Sequence, residues 1–105
     1  MDKIWLHSYP PGVPHDVDPS QYRSLNELFE ESFRRHAKEP ATVCMNSWMS
    51  YGQLDEWSTA MGAYLQSLGL PPGARVAIML PNLPQFPVTM AGVLRAGYTC
   101  VNVNP

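Results

Sequence analysis

Apolar positions recur along this chain with two periods, and each change of period marks a new element. From Ser24, the residues Leu25, Leu28, Phe29 and Phe33 fall at helical spacing. They predict an amphipathic helix from Ser24 to about Lys38. Ser24 with Glu27 predicts a capping box, the hydroxyl reaching forward and the carboxylate back, and Pro40 stands just past the helix end. Ala41 to Met45 then reads as a strand, Asn46-Ser47 as a turn and Trp48-Met49 as a short return strand. A second capping box, Ser50 with Gln53, opens a second helix that runs to Leu68 and stops at Gly69. Its stripe of Leu54, Trp57, Met61, Tyr64, Leu65 and Leu68 predicts a core-facing side, with Trp57 and Leu65 serving the core and not a ligand.

After the turn Leu70-Pro71-Pro72-Gly73 the pattern changes again. Val76 to Leu80 is a continuous apolar run, as expected of a strand buried on both faces. Leu83 to Ala96 is a helix-length apolar segment closed by Gly97, and Tyr98 to Val103 is β-branched and aromatic. Together they predict one βαβ unit with parallel strands. Asn82 is a candidate cap for this third helix, with Gln85 three residues on. Pro84 then fits the first turn and Pro87 falls too deep, so the helix starts near Phe86 or has a distorted first turn. Gly92 inside it costs propensity, which predicts close packing against the sheet. Ahead of all this, residues 1–22 form an arm in which Pro10, Pro11, Pro14 and Pro19 favour an extended or polyproline path. Trp5, Leu6, Tyr9 and Tyr22 give the arm apolar surface to dock on its own domain or on a neighbouring subunit.

Composition adds limits. The 105 residues are 45% hydrophobic and 15% charged with net charge −2, which suits one small globular domain. No basic cluster suggests nucleic acid as a partner; Arg34 and Arg35 stand one turn after Glu30 and Glu31, which predicts a charge-paired solvated face. No signal peptide or membrane span is legible, and Cys44 and Cys100, in apolar strand contexts, read as buried reduced thiols. The expected compartment is therefore the cytoplasm, with the inner membrane face as a peripheral alternative.

Candidate chemistry is sparse. The turn from Pro81 to Gln85 contains no glycine, so it does not form the phosphate-cradling loop of a dinucleotide fold. His7, His15 and His36 are far apart and lack a nucleophile or carboxylate partner at a recognisable spacing. Asp55 and Glu56 point in different directions and read as first-turn acids that complement the helix dipole. Asn102 and Asn104 share one face at the end of the last strand, where they orient a ligand or mark the turn before Pro105. No catalytic, cofactor-binding or metal-binding residue is assigned.

Three stretches carry a family resemblance: the opening KIWLHSYPPGVPHDVDPSQYRSLNELFEESFRRHAKEPA, the middle SYGQLDEWSTAMGAYLQSLGLPPGARVAIMLPN and the end QFPVTMAGVLRAGYTCVNVNP. The chain resembles the N-terminus of bacterial long-chain-fatty-acid–CoA ligases, in the AMP-forming, adenylate-forming superfamily. The resemblance implies an α/β fold: a partial N-terminal subdomain with a βαβ unit, a small hairpin and two packed amphipathic helices. On that reading residues 1–105 are an incomplete N-terminal part of an adenylation domain, with residues 1–22 as the arm and 23–105 as the helices and the start of the sheet. It implies a parent that turns a fatty acid, Mg-ATP and coenzyme A into acyl-CoA, AMP and pyrophosphate. The family's phosphate loop and catalytic lysine lie past Pro105, so ATP, Mg and CoA belong to the parent, and this segment alone is expected to be structural and inactive. Its expected partners are the remainder of the ligase chain and, through the arm and a free sheet edge, further copies of itself. A free-standing interaction module and a small-molecule-binding βαβ domain of another family are the alternatives.

Overall fold

The computed structural model describes residues 2–105. After a short 3-10 helix, Ile4–Ser8, the elements are α1 (Leu25–Arg35), β1 (Pro40–Cys44), β2 (Ser47–Ser50), α2 (Tyr51–Ser67), β3 (Arg75–Ile78), α3 (Gln85–Arg95) and β4 (Thr99–Asn102). β1 and β2 pair antiparallel as a separate hairpin. β3 and β4 pair in parallel, Arg75 opposite Thr99 and Ile78 opposite Asn102, and α3 is their crossover. The α/β class and the βαβ unit are thus as the pattern predicts.

The arm departs from its predicted path. Its first turn forms ahead of the first proline, and Pro10-Pro11-Gly12-Val13 then closes a turn, with Gly12 at φ 86° and the Val13 N–H donating to Pro10 O. Proline followed by glycine is the pairing such a turn demands. The reversal brings Lys3 to 3.2 Å from Asp16 and His15 edge-on to the Tyr9 ring. The arm therefore folds on itself: among the described residues its 3-10 helix packs on no other helix or strand, and Ile4 and Trp5 stay exposed. Hence the radius of gyration is 16.7 Å, against about 13 Å for a compact chain of this length. Met1 lies outside the described residues.

Both helix caps form, one of them only in part. At α2 the Ser50 hydroxyl accepts from the Gln53 N–H and the Gln53 side chain accepts from the Ser50 N–H, completing the box. At α1 Ser24 accepts from the Glu27 N–H, but the Glu27 carboxylate passes the cap and takes the Arg23 N–H at 2.8 Å. That bond, followed by the Arg23 side chain, holds Glu27 below the usual carboxylate range. α1 stops at Arg35, short of Lys38, and Leu25 points into solvent. The face with Glu30, Glu31, Arg34 and Arg35 is solvated but not charge-paired: Arg34 Nε donates to the Glu30 carbonyl instead.

The hairpin turn sits one residue earlier than expected. Met45 and Asn46 occupy its two central positions with φ of 48° and 62°, the mirror-image geometry that matches strand twist in two-residue loops. Asn46 tolerates this backbone, whereas a left-handed methionine costs roughly 1–2 kcal/mol. The third helix resolves its own ambiguity by starting at Gln85. Pro87 is then its third residue, among the first four N–H positions that have no helical partner, so it loses no bond. Asn82 does not cap it.

The largest correction concerns α2. Leu54, Ser58, Gly62 and Leu65 are its buried residues, and Trp57, Tyr64 and Leu68 lie exposed. α3 comes so close to α2 that Gly92 and Gly62 have no room for a Cβ. A Cβ on Gly92 would stand 2.7 Å from Met61 Cγ and 3.1 Å from Ser58 O, and one on Gly62 would stand 3.2 Å from Gly92 O. The core has two parts joined by α2 and α3. Phe33, Met49, Leu54 and Ala91 form one, between α1, the hairpin and α2; Leu65, Ile78, Val93 and Tyr98 form the other, against the sheet. β3 is not buried on both faces, because α3 covers one face alone: Val76, Ile78 and Leu80 turn inward while Ala77 and Met79 turn out. Cys44 and Cys100 are free thiols but only half-buried, and burial pushes the Cys100 thiol up from its ordinary value.

Gly92→Ala should destabilise the chain by a net 1–2 kcal/mol or so, since overpacking exceeds the gain in helix propensity; a thermal melt several degrees lower would show it. Leu65, 5% exposed, should cost about 2–5 kcal/mol on truncation to alanine. Trp57, 47% exposed, should change stability by less than about 0.5 kcal/mol under Trp57→Ala. Denaturant midpoints of the two variants check the pair.

Candidate functional site

In an open parallel sheet the carboxyl ends of the strands are where ligands collect, and the chain has a cleft there. Leu80, Pro81 and Asn82 leave β3 on one side, and Asn102, Val103, Asn104 and Pro105 leave β4 on the other, around about 440 Å³. The Val103 N–H donates to Ile78 O at 2.9 Å, and this extra rung holds the two strand ends together. Asn102 accepts from the Cys100 thiol at 3.4 Å through its side-chain oxygen. The structure thus brings Asn102 and Asn104 beside Asn82. Sequence reasoning had assigned Asn82 to a helix cap, and only the return of β4 alongside β3 shows that the three amides share a cleft.

Three neutral amides, two prolines and two aliphatic side chains can hydrogen-bond a polar group, but they hold no charge. Such a lining does not fit a nucleotide triphosphate with its metal: no lysine or arginine faces the phosphates and no carboxylate faces the cation. Among the described residues no three of His, Cys, Asp and Glu come together at metal-holding distance. No catalytic step is derived from this cleft.

The remaining candidates fall elsewhere. His7 ends the exposed 3-10 helix, His15 lies against Tyr9, and His36 follows α1 with Nδ1 3.0 Å from a Glu39 carboxylate oxygen. They do not form one site. Asp55 is in the second turn of α2 and not the first, and its role is an ion pair across helices. Arg95 Nη1 lies 2.7 Å from its carboxylate, 3.1 Å from its carbonyl and 2.9 Å from the Ser58 hydroxyl, while the guanidinium carbon stands 5.5 Å from the Phe33 ring centre. Arg95 was not singled out from sequence; at the last turn of a helix it reads as a dipole partner, and its reach to α2 depends on the interhelical distance. A second hollow, about 230 Å³ and apolar, opens between α1, α2 and α3 beside Phe29, Phe33, Leu54 and Met90. No helix among the described residues is long and apolar enough to cross a membrane.

Comparison with known proteins agrees with this architecture. The chain is 51% identical to the long-chain-fatty-acid–CoA ligase of Escherichia coli O6:H1 and 43% identical to that of Haemophilus influenzae, in both cases over all of this chain and 19% of the relative. It therefore spans about a fifth of the length of the curated relatives it matches. Among solved structures, the NpsA-ThdA adenylation-PCP di-domain from Klebsiella oxytoca superposes with a TM-score of 0.75 at 27% identity, over 80% of this chain and 16% of that one. VinN in complex with 3-methylaspartate gives 0.73 at 27% identity, over 77% and 23%. The profile of the AMP-binding enzyme family matches residues 29–105, the whole helical and sheet portion from the first turns of α1 onward, and the chain belongs to that family.

Proposed function

We propose that this chain is a structural segment of an ATP-dependent fatty acyl-CoA synthetase, whose parent joins a fatty acid to coenzyme A with release of AMP and pyrophosphate. The observation that carries the reading is identity of 51% to long-chain-fatty-acid–CoA ligases without a gap in coverage of this chain. The ATP, Mg and CoA sites belong to other parts of the ligase, in line with the uncharged amide cleft. The segment supplies a helical layer and two parallel strands on which the rest of the enzyme builds, in the cytoplasm.

Two experiments test this. The chain alone should catalyse no ATP–pyrophosphate exchange with a long-chain fatty acid above a protein-free control; exchange in a preparation free of full-length ligase would overturn the structural role. Replacing the aligned segment of the Escherichia coli relative by this chain should keep acyl-CoA formation within about tenfold, the loss expected from roughly 1.4 kcal/mol of imperfect fit. A folded but inactive chimera would refute the ligase reading.

The isolated chain should also self-associate through the Tyr98–Val103 edge, the arm, or both. β4 pairs with β3 on one side only, and an unpaired edge templates further pairing. Sedimentation across a concentration series checks this; a monomer throughout would mean neither element is adhesive.

A further inference from the structure

α2 buries one narrow strip, Leu54, Ser58, Gly62 and Leu65. A second flank of the helix holds Gln53, Trp57, Ala60, Tyr64 and Ser67, all exposed. They fall at alternate steps of four and three residues, the repeat of a seam between two paired helices. Trp57 is 47% and Tyr64 59% exposed, and Leu68 flanks the end of the seam at 50%. A helix face turned to water ordinarily carries charge. Tyr51–Ser67 contains no lysine or arginine, and its acids are Asp55, which pairs with Arg95, and Glu56. Exposed Trp and Tyr with little charge around them is the composition of an interface centre.

The pattern also selects its occupant. A helix that lies on lipid sets lysine or arginine beside its apolar strip, and α2 has neither. The seam is instead complementary to itself. Trp57 and Tyr64 are seven residues apart, about 10.5 Å along the axis, and Ala60, the smallest side chain of the seam, lies near their midpoint. A two-fold axis at that point pairs two α2 helices antiparallel and sets each Trp57 on the other copy's Tyr64, twice, while the axes close over Ala60. The two Glu56 carboxylates then stand about 13 Å apart along the seam, beyond the screening length at physiological salt. We infer that the outer face of α2 is a homodimer surface, an antiparallel α2–α2 pair between two copies of this chain. It is distinct from the β4 edge and the arm, and it does not rest on the ligase reading. The seam of this 17-residue helix is about 25 Å long and about 10 Å wide. A standard interface takes about 800 Å² per partner, so the pair is weak, with a dissociation constant on the order of 100 µM.

Cysteine mapping tests the geometry in a chain carrying Cys44→Ala and Cys100→Ala. Ala60→Cys puts a thiol beside the two-fold axis, within disulfide reach of its copy. Thr59→Cys puts one about 100° round the helix, away from the seam. Oxidation near the dissociation constant should yield at least about fivefold more covalent dimer from Ala60→Cys than from Thr59→Cys, and Trp57→Lys should abolish that excess. Sedimentation needs no thiol change: the chain with its own cysteines should lose a concentration-dependent dimer on Trp57→Lys. Equal cross-linking from the two positions would overturn the proposal. So would a dimer that Trp57→Lys leaves intact and Val101→Lys removes, since the β4 edge would then hold it. The Escherichia coli chimera should cross-link through Ala60→Cys as well; an isolated chain that cross-links beside a chimera that does not would mean that the rest of the ligase covers α2, and would overturn the pairing. Binding to vesicles of neutral phospholipid, lost on Trp57→Lys without Ala60→Cys cross-linking, would assign the face to lipid and overturn it too. An inactive chimera that cross-links as expected would count against the ligase reading and leave this surface standing.

Discussion

The close approach of α2 and α3 is the constraint on which the other features depend. It is set by Gly62, Gly92 and Ser58: the Gly92 carbonyl lies over Gly62, and Gly92 itself leaves room only for the Met61 side chain and the Ser58 carbonyl. Because the helices are so near, Arg95 on α3 reaches the Asp55 carboxylate, its carbonyl and the Ser58 hydroxyl together. Asp55 is 42% exposed, so the charge attraction is screened by water and worth at most about 1 kcal/mol. The larger effect is geometric. The three bonds fix the rotation of α3 against α2, and these two helices together join the halves of the core: Leu54 and Ala91 face the α1 side, Leu65 and Val93 the sheet. The consecutive buried residues Ala91, Gly92 and Val93 of α3 describe a helix enclosed on both sides.

That central helix is entered through a turn with a composition of its own. The crossover from β3 to β4 passes through a turn of two prolines and an asparagine, with no glycine to let backbone amides close on a phosphate. The turn opens instead onto three neutral amides.

Local signals were legible because they act over a few residues. The Ser50–Gln53 box, the glycine after α2 and the Leu70–Gly73 turn follow from hydrogen bonds and backbone preferences within one turn of chain, and the parallel βαβ unit from the order of its apolar runs. The hairpin was legible too, but its turn was misplaced by one residue, since nothing in Met45 advertises a left-handed backbone. Glu27 could be assigned to a cap, but not to the Arg23 amide over its own Ser24, because the two acceptor geometries differ only in side-chain rotation.

What the sequence by itself determined, then, is the order and type of the elements and the family they belong to. Tertiary structure alone decided which side of α2 is the core. Periodicity ranks Trp57 and Tyr64 above Ser58 and Gly62 because it weighs residues by transfer from water. At a close helix contact the deciding quantity is volume: a glycine pair lets backbone pack on backbone, and an indole there would force the axes apart. The same holds for Arg95 and for Asn82, whose partners lie 40 and 20 residues away in sequence and are brought near only by the folded arrangement.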